Sequence, residues 1–168
     1  MVTTTLAKKP LEAQFVNAFL NTTISVIKTL GSCNLVFEGA CIEFKYHNNR
    51  LLTSVVECYS PTGELSHLVG LMFPEEAFDI LIKQMKHAKK LDYNITEKMD
   101  VLGEFTNIIS GDAQTKLVAN DMPSYYFSPP RCVYNPNVVQ AAFGKKRVRF
   151  FLHFRIENQP FYIQIGIS

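Results

Sequence analysis

Four residues in one stretch of the chain have types and spacing that could do chemistry. Asp100, Glu104, Asn107 and Gly111 follow one another at steps of four, three and four. At about 100° per residue, a helix brings them within roughly 60° of one another. The row then reads carboxylate, carboxylate, carboxamide, glycine. Glu104 and Asn107, at i and i+3, are near neighbours on such a surface. Glycine inside a helix costs about 1 kcal/mol relative to alanine, so Gly111 needs a reason. Close approach of a partner's surface is one; a local bend or tight packing is another. The plainest reading of the row is the solvated face of an amphipathic helix.

Other chemistries find little support. Cys33, Cys41, Cys58 and Cys132 form no CxxC pair, and His47, His67, His87 and His153 are scattered. No Cys/His group has zinc-finger spacing, so no metal site is expected, and a stand-alone metalloenzyme or thiol enzyme is disfavoured. The cysteines read as small buried hydrophobes in a reducing compartment. Net charge is 17 − 15 = +2, too small to predict nucleic acid or an anionic membrane. The opening MVTTTLAKKPLEAQ lacks the apolar run of a secretory signal, and no stretch is long and apolar enough to span a membrane. The expectation is a cytoplasmic protein. Its 168 residues suit one domain over 1–168, with residues 1–9 as a flexible N-terminus.

The elements that must position the row follow from periodicity. A first helix opens near Pro10, carries Phe15, Phe19, Val26 and Leu30 at helical spacing, and stops at Gly31. Three segments with strand character follow: Leu35 to Phe44, Leu51 to Tyr59 and Leu65 to Phe73. Turns at His47-Asn48-Asn49 and Ser60-Pro61-Thr62-Gly63 separate them. They read as an antiparallel meander. Pro74-Glu75-Glu76 opens a second helix, with Phe78, Leu81, Ile82, Met85 and Ala88 as its stripe. Lys86, His87, Lys89 and Lys90 suit its C-terminal dipole. The third helix starts between Asn94 and Thr96 and runs to about Ala119. Either residue can cap it, Asn94 with Glu97 as a capping box. Its buried face is Met99, Leu102, Phe105, Ile109, Ala113 and Leu117, opposite the polar row. A loop spans Asn120 to Asn137. Two strands, Arg147 to Glu157 and Phe161 to Ile167, close the chain through Asn158-Gln159-Pro160. Antiparallel hairpins with helices set apart from them argue an α+β fold.

The segment GEFTNIISGDA, Gly103 to Ala113, resembles the signature helix of the CheX/CheC/FliY chemotaxis phosphatases and is most like CheX. The family pattern is an acidic residue or Ser, three residues, Glu, two residues, Asn, twenty-two residues and Pro. Asp100, Glu104, Asn107 and Pro130 meet every position. FVNAFLNTTISVIKTL and VGLMFPEEAFDIL are similar to the first helix and to a strand-to-helix join of the same proteins. The resemblance implies a mainly antiparallel sheet with long helices packed on it. It also implies a phosphatase acting on the phosphoaspartate of a CheY-like response regulator. Asn107 would then orient the attacking water and Glu104 would engage the regulator's active-site lysine. Mg²⁺ belongs to the partner's site, and this chain needs no cofactor of its own. Asp100, Gly111 and Pro130 would face the partner, although Asp100 can equally shape the helix surface and Pro130 the loop. CheC-like members carry a second ExxN in the first helix. Here Glu12 is followed by Phe15, so one site per chain and a CheX-like homodimer are implied. The alternative is a dimeric module that binds a receiver domain without turnover.

Two features stand outside the resemblance. Arg147, Arg149, His153 and Arg155 alternate with apolar residues and share one strand face. That face is either solvated or meets an anionic partner, with nucleic acid a weaker alternative. The cluster Tyr125-Tyr126-Phe127 reads as a sheet-edge cover or a partner contact.

Overall fold

The structure is a computed structural model that describes residues 11–30, 33–42, 50–85, 92–134, 143–144 and 148–168. Its elements are α1 (Leu11–Leu30), β1 (Leu35–Cys41), β2 (Leu51–Tyr59), β3 (Leu65–Pro74), α2 (Glu75–Gln84), α3 (Ile95–Ala119), β4 (Tyr126–Phe127), β5 (Arg131–Val133), β6 (Val148–Ile156) and β7 (Gln159–Ile167). The fold is α+β: one seven-stranded sheet with all pairings antiparallel, and the helices on one face. Pro10, Gly31, the His47-Asn48-Asn49 turn, Lys86 to Lys90, Arg147 and residues 1–9 lie outside the described residues.

The expected three-strand meander is corrected. Strand order is β1-β6-β7-β3-β2-β4, with β5 also on β2. β2 and β3 form a hairpin, but β1 pairs with β6 at the far edge, Leu35 opposite Ile156. The tight β6–β7 turn shows why. Glu157, at φ 51°, donates its backbone N–H to the Asn34 carbonyl at 2.9 Å, and its carboxylate accepts from the Asn34 N–H at 3.0 Å. Those two bonds fasten the start of β1 along β6. Gln159 and Pro160 belong to β7 and not to the turn. The loop expected from Asn120 to Asn137 holds two short strands, β4 and β5, both paired with β2. Tyr126 and Phe127 therefore line a sheet edge, while Tyr125 is buried against Phe15 and His67.

Alternation along the strands sends one set of side chains toward the helices. There Phe73, Phe161 and Phe154 stack in sequence, with centroids 4.5 and 4.8 Å apart. Phe78, Leu81, Phe105 and Ile109 close over them from α2 and α3. The other sheet face is covered in part by Phe143, packed with Leu51, Leu68 and Met72. That face also carries the basic row, which is partly answered within the sheet. Arg155 meets Glu38 at 2.8 Å, and His153 lies 3.1 Å from the Cys41 sulfur. Of the cysteines only Cys58 is buried, its thiol pushed up to about 12 by burial; Cys33, Cys41 and Cys132 are half-exposed, contrary to expectation.

Phe161 is the middle ring of the stack, so its loss leaves a cavity between two others. Phe161→Ala is expected to cost about 3–5 kcal/mol, read as a lowered urea midpoint at unchanged slope.

Candidate functional site

Helix α3 begins as its sequence signals. The Asn94 side chain accepts from the Glu97 N–H at 3.1 Å, and the Glu97 carboxylate accepts from the Asn94 N–H at 2.9 Å. The cap is thus Asn94 and not Thr96. Leu102, Phe105, Ile109, Ala113 and Leu117 are buried as expected, while Met99 is only half-buried. The buried face is broader than its apolar residues, because Lys98, Thr106 and Ser110 share it. Thr106 answers its own hydroxyl by donating to the Leu102 carbonyl at 2.7 Å.

With that face seated, Asp100, Glu104 and Asn107 stand exposed. They form one wall of an open groove of about 750 Å³, and Pro129, Pro130 and Cys132 form the other. The two walls touch at the floor, where a Cβ added to Gly103 would lie 3.5 Å from the Cys132 sulfur. Four of the five residues singled out from sequence therefore line one groove. Gly111 is exposed one turn further along α3, beyond the groove lining. Apart from its chain neighbours and its own helix backbone, no atom of the described residues lies within 4 Å of where its Cβ would be, so packing against them is not the reason for that glycine. The side chains of Glu104 and Asn107 make no hydrogen bond or ion pair among the described residues. Burial pushes the Cys132 thiol up, opposed less strongly by Ser54 and assisted slightly by Asp100, so the folded chain holds it as a poor nucleophile. No group of three His, Cys, Asp or Glu able to hold a metal occurs among the described residues, and no helix among them is long and apolar enough to cross a membrane.

Lys98 is the residue that periodicity alone passed over. Its ammonium is buried, 6% exposed, with Glu75 Oε1 at 2.9 Å and Asp79 Oδ1 at 2.6 Å. Burial alone would depress its pKa, but the hydrogen bonds to the two carboxylates outweigh this and raise it. Glu75 also accepts from the Tyr134 hydroxyl at 3.1 Å. The signal was present in the sequence: on the same wheel Lys98 falls on the apolar side, and a cation there demands a counter-charge.

This combination of fold and site defines the class of the CheX, CheC and FliY proteins. The family model described as chemotaxis phosphatase CheX matches residues 55–154, more than half of the chain, and the chain belongs to that family. Solved structures agree in fold. CheX from Vibrio vulnificus is 18% identical, covering 92% of this chain and 99% of that one at a TM-score of 0.74. A CheC-like superfamily protein from Shewanella is 18% identical, covering 92% and 97%, at 0.70. A CheX–CheY–BeF3–Mg²⁺ complex from Borrelia burgdorferi matches at 16% identity, covering 92% and 97%, at 0.73. No curated protein matches the chain in sequence.

Two outcomes follow. Gly111→Ala is expected to raise stability by about 0.5–1 kcal/mol, since the methyl meets open space and the helix gains propensity; urea unfolding reads it. The hydrogen bond from Lys98 holds the Glu75 carboxyl below the usual carboxylate range, burial opposing and Tyr134 assisting. Stability from a depressed carboxyl is complete above its unfolded pKa, about 4.3, and is lost as pH falls through the lower folded value. The stability gap between wild type and Glu75→Gln should therefore narrow from about pH 5 downward. A gap constant across acid titration would contradict the assignment.

Proposed function

We propose that this chain hydrolyses the phosphoaspartate of a CheY-like response regulator, docked along the groove between α3 and Pro129–Cys132. The observation that carries this reading is the pair Glu104 and Asn107, exposed side by side in a groove with no partner among the described residues. A carboxamide has one donor group and one acceptor, enough to hold a water by both its lone pair and its hydrogen. In this role Asn107 aims the water oxygen at phosphorus. The acyl–phosphate P–O bond breaks, the regulator's aspartate leaves as carboxylate, and inorganic phosphate forms. Such transfers depend on positioning and charge stabilisation more than on covalent help. Glu104 engages the regulator's lysine and fixes the register of docking. Asp100 and Pro130 flank the contact, and Gly111 lets the partner's surface come close above the next turn. Mg²⁺ and the phosphoryl group belong to the regulator; the chain supplies no cofactor.

The same reading makes residues 1–168 one working unit, cytoplasmic and paired as a homodimer. β1 supports the pairing: among the described residues it pairs with β6 on one side alone, and it exposes Val36 and Phe37 at 45% and 37%. An open edge with apolar side chains is a template for another strand.

The deciding measurement is phosphate release from phosphorylated CheY-like regulators. Asn107→Ala is expected to remove on the order of 10²-fold of the acceleration while binding persists. Glu104→Ala should weaken binding about tenfold or more. Binding without any acceleration by the wild type would make the chain a non-catalytic receiver-binding module instead. Gly111→Ala, though more stable, should bind the regulator less tightly; unchanged affinity would leave the glycine without this role.

A further inference from the structure

We propose that Glu75 is a positioning residue for the groove: its two carboxylate oxygens each hold one wall and together set the groove's width. Glu75 opens α2 directly after β3. β3 is paired on both sides, with β2 and β7, so the carboxylate springs from a fixed part of the sheet. Oε1 takes the Lys98 ammonium of α3 at 2.9 Å. Lys98 lies less than two turns before Glu104, on the same rigid helix. Oε2 accepts from the Tyr134 hydroxyl at 3.1 Å. Tyr134 follows β5, two residues after Cys132, which lines the opposite wall.

The two links are unequal. Lys98 has Asp79 as a second anchor at 2.6 Å. The opposite wall is held to the sheet by three register pairs between β5 and β2, by Ser128, which bonds the Glu57 backbone at 2.8 and 3.0 Å, and by Arg131, 3.6 Å from the Glu57 carboxylate. Those ties run to β2; the Tyr134–Glu75 bond is the one that links the end of that wall to α2 and, through Lys98, to α3. Cys132 reports on the wall, because its sulfur sits half-buried at the floor beside Gly103. Drawing the walls apart uncovers it.

The assignment of Glu75 rests on the phosphatase reading only for its effect on docking. The width itself is read by alkylating the full chain with iodoacetamide and following each cysteine by mass. Tyr134→Phe removes one hydroxyl at a partly exposed position, and Glu75→Gln removes the charge at unchanged volume. Each should speed Cys132 labelling about fivefold, the factor that a hydrogen bond of about 1 kcal/mol makes in an opening equilibrium. Cys33 and Cys41 should label as before, and buried Cys58 should stay protected. Equal Cys132 rates in wild type and both variants overturn the proposal; so does a rise that Cys58 shares, which marks general loosening. In the phosphatase assay both variants should raise KM with kcat nearly unchanged, and faster Cys132 labelling at unchanged KM overturns the positioning role. A wild type that releases no phosphate sinks the proposed activity and leaves the clamp to the labelling alone.

Discussion

Lys98 sets an ammonium on the inner side of α3, and two carboxylates of α2 receive it there at 2.9 and 2.6 Å. Removing such a charge from water costs several kcal/mol, and a buried pair repays that cost only with good geometry. The contact therefore does more to define how α3 lies than to stabilise the fold overall. If the helix turned about its axis, the ammonium would leave both acceptors. Leu102, Phe105 and Ile109 on the sheet then fix the rest of the rotation. Once that angle is set, the outward direction of Asp100, Glu104 and Asn107 follows with no contact of their own.

Catalytic reading and folding reading meet at this point. Charged and capping side chains that hold the structure are paired: Asn94 and Glu97 bond each other, Arg155 meets Glu38, and Glu157 braces Asn34. Glu104 and Asn107 are saturated by nothing the chain offers among its described residues. A polar residue exposed to water needs no partner, so their freedom is cheap to keep. It also leaves them preorganised on a rigid helix, the arrangement that positioning chemistry demands.

The parts of this structure legible in the sequence are those decided within one element. The 3.6-residue period gave α3 and its outer row, because a helix closes its hydrogen bonds locally, while the choice of cap stayed open between Asn94 and Thr96. Strand character between turn signals gave β2, β3 and β7, and the period of two gave the faces of β6. The place of β1 was not legible, since it is decided by pairing with Ile156, more than a hundred residues away. β4 and β5, with two and three residues, are too short to show any alternation. The second wall of the groove, apart from the matched proline, was hidden with them. Lys98 was visible on the wheel, but its counter-charges lie on another helix, and periodicity within one element does not show which charges another brings.

The charge of the groove narrows what can enter it. Among the described residues its lining holds Asp100 and Glu104 and no lysine or arginine, although the chain as a whole is +2. At the few ångströms separating groups in a groove, nearby charges outweigh a net charge screened beyond about 8–10 Å. A bare phosphate therefore meets two carboxylates and is repelled. A phosphoryl group can approach only if its charge is already offset by cations that travel with it, and a lysine beside that group would find Glu104 waiting. On the proposed function, this makes the groove selective by omission. Free phosphates and small phosphorylated molecules, which bring no fixed lysine, are excluded by the same carboxylate that a receiver domain would use to dock.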